Sequence, residues 1–102
     1  MEIDARFNGE RVRAQVGDEI RLTLSETPTT GFRWKLMADG APACVLVGDA
    51  VEASAAPGGP AVRDWRFRAA NPGLAHIELV LVRSWEGPSS ASRTFVVDIA
   101  VG

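Results

Sequence analysis

Tyrosine is absent from the chain, and among its 102 residues there is one histidine, one cysteine and one lysine. A lone Cys44 excludes an internal disulfide. With His76 as its only possible companion, no His/Cys cluster of the kind that holds structural zinc can be assembled, so neither metal nor cofactor is expected. Charge of one sign is also missing, since 11 basic residues face 13 acidic ones for a net charge of -2. A general nucleic-acid binder draws most of its affinity from a basic excess, so that partner class is set aside. No apolar run approaches a membrane span. Glu2 and Asp4 stand where an export signal carries basic residues, and no apolar stretch follows them. The chain as given reads as cytoplasmic, with a periplasmic or secreted location if a leader has been removed.

What is present is period-two alternation. Ile3, Ala5 and Phe7 alternate with polar neighbours, Asn8-Gly9 offers a two-residue turn, and Val12, Ala14 and Val16 alternate again, so a hairpin is expected. Gly17-Asp18 marks a second turn. Ile20, Leu22 and Leu24 then define a third strand that ends at Pro28, and Phe32, Trp34 and Leu36 a fourth with Arg33 and Lys35 on its other face. In CVLVGDAVE, Gly48 signals a bulge or an early end to a fifth strand. Beyond a loop from Ala53 to Pro60, Trp65, Phe67 and Ala69 form one face of a strand. After Asn71-Pro72-Gly73, Ala75, Ile77, Leu79 and Leu81 form a face of the next, and Phe95, Val97, Ile99 and Val101 one of the last.

Apolar residues do not recur at helical spacing over the eleven or so residues an amphipathic helix needs. Seven or eight short strands in one domain, residues 1–102, therefore predict an all-β fold, an immunoglobulin-like antiparallel β-sandwich. A small closed barrel is the competing architecture. The disulfide and tyrosine corner of antibody domains are not available to this sequence.

Three loops contain residues that strand connection alone does not require. In Thr27-Pro28-Thr29-Thr30-Gly31-Phe32, Pro28 fixes φ and Gly31 permits a turn other residues resist, although an ordinary connector could have this composition. Ala55-Ala56-Pro57-Gly58-Gly59-Pro60 presents almost no side chains, which suits either entry into a narrow cleft or a plain flexible linker. Arg83-Ser84-Trp85-Glu86-Gly87-Pro88 sets a large aromatic between two charges. Arg and Trp are enriched at binding hot spots, while a loop Trp can equally fold back over a core edge.

In this order on an all-β chain, the three motifs resemble the chagasin family of cysteine peptidase inhibitors, whose members carry NPTTG before an aromatic and a Trp, then a GxGG-type loop, then RPWEG. The matching positions are Pro28, Thr29, Thr30, Gly31, Phe32 and Trp34, then Gly58 and Gly59, then Arg83, Trp85, Glu86 and Gly87. Thr27 replaces the usual Asn, Ala56 the first loop Gly, and Ser84 the Pro between Arg and Trp. The resemblance implies a monomeric, non-covalent inhibitor that wedges three loops into the groove of a papain-like cysteine peptidase. Pro57, Gly58 and Gly59 would approach the catalytic residues without a clash. Pro28, Thr29, Thr30 and Gly31 would contact one wall, and Arg83, Trp85 and Glu86 the other. Phe32, together with Trp34, would support the first loop from the core.

Two other classes are set against this reading. In an enzyme, Cys44 and His76 would be the only nucleophile and base. Cys44, however, opens an apolar run, and His76 falls opposite Ala75 and Ile77 on the solvent side of its strand. In a non-inhibitory interaction or carbohydrate-binding module, Trp85 would meet a different ligand, with Trp34 or Trp65 as a second exposed aromatic. Arg66 and Arg68 would then offer a polyanion strip, unless they are simply a solvated face.

Overall fold

The computed structural model describes residues 1–26, 31–52, 61–83 and 93–102, with Glu52 defined in its backbone only. The loop positions 27–30, 53–60 and 84–92 lie outside the described residues, and with them Pro28, Thr29, Thr30, Pro57, Gly58, Gly59, Trp85 and Glu86. Eight strands are present: β1 (Glu2–Ile3), β2 (Glu10–Ala14), β3 (Glu19–Glu26), β4 (Phe32–Asp39), β5 (Cys44–Glu52), β6 (Ala61–Ala69), β7 (Gly73–Arg83) and β8 (Arg93–Val101). They form two four-stranded sheets in the orders β1-β3-β6-β5 and β2-β8-β7-β4. The result is the expected immunoglobulin-like sandwich and not a closed barrel.

Its core follows from the alternation. Ile20, Leu22, Leu24, Trp65, Phe67 and Ala69 of one sheet are buried, as are Ala75, Ile77, Leu79, Phe95, Val97 and Ile99 of the other. Residues of like phase along each strand share a face, so two such faces stacked together bury both sets. The same phase brings charge inward as well. Glu26 continues the buried series of β3, and Arg63 the inward series of β6, where it is the register partner of Leu24. β7 lies between two neighbours, and even its outward-pointing Val80 and Val82 are buried.

The N-terminal hairpin does not form. β1 joins β3 and β2 joins β8, both in parallel, so the two segments belong to different sheets. Hence the sheets are mixed and not wholly antiparallel. Local chemistry explains the split: Asp4 caps a 3-10 turn at Ala5–Phe7 by accepting from the Arg6 backbone N–H. Asn8 stays at φ -58 and ψ 125 while Gly9 takes φ 82, the combination of a type II turn instead of the hairpin-forming type I′. Asn8 and Gly9 then bond to Val96 of β8, which delivers the chain to the second sheet. Ala5 and Val16 consequently lie outside the strands and are exposed.

The remaining expectations on the described residues hold. Gly17 takes φ 99 in a turn closed by Asp18 N–H to the Gln15 carbonyl. The fifth strand runs through to Glu52, with a register shift between Leu46 and Gly48, so Gly48 marks a bulge and not an end. β4 is irregular in the same way between Leu36 and Ala38. The bulged strands β4 and β5 are the outer strands at one side of the sandwich, and a bulge on an open edge discourages pairing with another chain.

Candidate functional site

The register brings the ends of the three motif segments to one end of the sandwich. Glu26, which precedes 27–30, is paired with Ala61, which follows 53–60, and Glu52 lies opposite Val62. In the facing sheet Phe32 pairs with Arg83, and Leu81 with Arg93, so the flanks of 27–30 and 84–92 are neighbours. All six flanking strand ends therefore belong to a single pole. Among the sequence-derived site residues, Gly31, Phe32 and Arg83 are the described ones, and they stand together there.

Side chains fasten these stems. Trp34 is buried, and its indole Nε1–H donates to the Ser25 carbonyl at 2.9 Å. Its backbone N–H donates to Glu26 Oε2 at 3.1 Å, so one residue of β4 grips two of β3 across the gap between the sheets. Trp34 thus ties β4 to the end of β3 that precedes 27–30. The Arg83 guanidinium lies 4.8 Å from the centroid of the half-buried Phe32 ring, a cation–π contact that links the third stem to the first. Gly31 has φ 80, a backbone conformation that glycine adopts without strain.

Sequence reasoning missed the ionic group beneath the loops. The fully buried Glu26 carboxylate sits 3.6 Å from Arg33 Nη1 and 3.6 Å from Arg63 Nη1. Arg63 also reaches the Trp34 carbonyl at 3.5 Å and lies 4.9 Å over the Trp65 ring. Phase was the available signal: Glu26 and Arg63 continue the inward-facing positions of otherwise apolar strands. Two charges of opposite sign at the same end of a core face imply that they meet.

Cys44 and His76, the candidate nucleophile and base, are separated by a whole sheet. Cys44 is fully buried on the inner face, and burial raises its thiol pKa, which makes it an inert packing residue. His76 is exposed on the outer face of the other sheet, held by Asp98 and Glu78. The described aromatics do not form a sugar platform either, because Trp34 and Trp65 are 7% and 2% exposed. Arg66 lies 3.7 Å from Asp64, which also accepts from Arg21 at 3.2 Å, so the supposed polyanion strip contains its own counter-charge.

The described residues thus form an all-β sandwich in which the strand ends flanking the three motif segments lie at one pole. Residues 13–99 match the family model described as chagasin family peptidase inhibitor I42, and the chain belongs to that family of non-catalytic inhibitors. No curated protein sequence matches it. Among solved structures it is similar to the cysteine protease inhibitor EhICP2 from Entamoeba histolytica, at 20% identity and a TM-score of 0.87 over 99% of this chain and 94% of that one. Amebosin follows at 20% identity and a TM-score of 0.81, covering 100% and 97%. PbICP-C, solved in complex with falcipain-2, is 16% identical with a TM-score of 0.64, covering 100% and 90%. At these identities the structures establish a shared fold.

Proposed function

We propose that this protein is a reversible, non-covalent inhibitor of papain-like cysteine peptidases that occludes the active-site groove with segments 27–30, 53–60 and 84–92. The observation that carries this reading is the convergence of their flanking residues, Glu26, Phe32, Glu52, Ala61, Arg83 and Arg93, on one pole of a chagasin-family sandwich. That two of the similar structures are of a cysteine protease inhibitor and of a complex with falcipain-2 supports the same partner class. In this reading Gly58 and Gly59 bring bare backbone to the catalytic Cys and His of the enzyme. Thr29 and Thr30 meet one wall of the groove, and Arg83 and Trp85 the other.

Protease–inhibitor pairs commonly bury about 1,600 Å² in total and change little on association, which suits loops mounted on paired strands. A net charge of -2 gives weak long-range steering, so shape and hot-spot contacts set the affinity. The test is a titration of active papain with the folded protein, following hydrolysis of a small fluorogenic peptide. Stoichiometric loss of activity is expected, and Trp85→Ala is expected to weaken it by about tenfold or more, as truncation of a hot-spot residue does. Full papain activity at micromolar folded protein would refute the reading for papain itself, and a cathepsin L type enzyme provides the second titration.

A further inference from the structure

We infer that Glu26 is a positioning residue for binding: its buried carboxylate, set between Arg33 and Arg63, fixes segment 27–30 relative to segment 53–60. The inference rests on the inhibitor reading and deepens it. Glu26 is the last described residue before 27–30, Arg33 stands just beyond its far end, and Arg63 stands just beyond 53–60. One carboxylate thus joins strand residues on either side of the first segment to one that follows the second. Its firm hydrogen bond, from the Trp34 backbone N–H at 3.1 Å, adds the facing sheet.

Packing alone does not call for a carboxylate here. The preceding inward positions of β3 are Ile20, Leu22 and Leu24, and an aliphatic residue at 26 would extend that series. Replacing a buried ion pair with well-packed apolar groups is often neutral or stabilising, because desolvation offsets the Coulombic gain. The satisfaction is also incomplete: Glu26 Oε1 and Arg63 Nε are buried without a hydrogen-bond partner. A group that adds little net stability but joins its own strand β3 to partners on β4 and β6 serves geometry instead. A hydrophobic contact tolerates sliding and rotation. A carboxylate that accepts from the Trp34 N–H at one oxygen and faces a guanidinium at each is held more narrowly.

The experiment compares the wild-type protein, Glu26→Gln, and the double variant Glu26→Gln with Arg63→Met. Gln keeps the shape and an oxygen for the Trp34 N–H but removes the charge. Met in place of Arg63 removes the guanidinium that would otherwise be stranded. Thermal unfolding, Ki for papain measured well below each Tm, and backbone amide chemical shifts of the free protein are the readouts. The double variant is expected to recover the stability that Glu26→Gln loses, while its Ki stays about tenfold above wild type, which corresponds to about 1.4 kcal/mol of binding free energy. Amide shifts at 27–30 and 53–60 are expected to move together, with those of Gly40 to Cys44 unchanged. A folded double variant with wild-type Ki would overturn the inference. So would amide shifts that move at 27–30 alone. If Glu26→Gln alone does not fold, the double variant decides. If the wild-type chain fails to inhibit, the inhibitor reading falls, and the amide shifts still decide whether Glu26 couples the two segments.

Discussion

Among the described residues, the links that supplement strand pairing at the two ends of the sandwich differ in their balance of backbone and side chain. At the end away from the motif segments the backbone bonds to itself: Gly17 N–H to the Ala69 carbonyl at 2.7 Å, Ala69 N–H to the Asp18 carbonyl at 2.9 Å, and both Ala70 and Asn71 N–H to the Ala43 carbonyl. Asn71 Nδ2 adds a 2.7 Å bond to the Pro42 carbonyl. At the motif end the links between described residues run through side chains, namely the Glu26 carboxylate, the Trp34 indole and the Arg83–Phe32 stack. Backbone-to-backbone closure pairs the polar groups of these short turns with one another. The side-chain links tie β3, β4 and β6 to one another at the strand ends that flank 27–30 and 53–60.

The largest effect is expected where the motif end shares a residue with the core. Trp34→Ala removes a buried indole together with its bond to the Ser25 carbonyl, and should cost about 3–5 kcal/mol, as aromatic truncations in cores do. Urea unfolding measures this, and a loss below 1 kcal/mol would mean that the stems stand without it. Gly40→Ala is the counterpart at the opposite end. Gly40 is buried at φ 81, and an added Cβ would lie 3.0 Å from Ala75 Cβ and 3.2 Å from Ile77 Cγ1. Positive φ and crowding together should cost about 1–3 kcal/mol. Because the damage lies far from the proposed binding pole, Ki measured on the folded protein should not change. A raised Ki would show that the two ends are coupled.

The same division explains how much could be seen in the sequence. Strand phases, the Gly17-Asp18 and Asn71-Pro72-Gly73 turns and the Gly48 bulge were legible because each is a local property of a few residues. The Asn8-Gly9 hairpin was misread because the same dipeptide serves a type II turn. What decided between them was a long-range partner, Val96, 88 positions away from Asn8. The three motifs were legible as a set, while the group under them was not sought. Glu26, Arg33 and Arg63 are ordinary charged residues until β3, β4 and β6 are brought together, and only the inward phase of Glu26 and Arg63 distinguished them from a solvated face.

A smaller effect tests whether the third stem is energetically joined to the first. A double-mutant cycle with Phe32→Leu and Arg83→Ala should return a coupling of about 0.5–1 kcal/mol in unfolding free energy, the range for a cation–π pair near the surface. Arg83→Lys should lose part of it, since a point charge does not stack as a planar guanidinium does. Strictly additive single variants would mean that the stack does not couple the two stems energetically.

The smallest effect lies on the outer face of the second sheet, away from both ends. His76 Nδ1 is 2.7 Å from Asp98 Oδ1 and Nε2 is 3.2 Å from Glu78 Oε1, while Arg11 is the register partner of Asp98 on β2. Hydrogen bonding to Asp98, then to Glu78, raises the His76 pKa above its ordinary 6.5. Only the imidazolium can donate from both nitrogens at once, so the folded state holds the proton more tightly than the unfolded chain. The stabilisation is therefore fully present below pH 6.5 and is lost as pH rises through the folded-state value. Solvent and salt screen the exposed pair, so the slope should be shallow and should shrink at high ionic strength. Denaturant midpoints collected across this window for wild type and His76→Asn measure it. The variant should lose that pH dependence while Ki, set at the far pole, stays the same. A slope of opposite sign in the wild type would mean that the folded state holds the His76 proton less tightly than the unfolded chain, and that the pairs with Asp98 and Glu78 do not govern it.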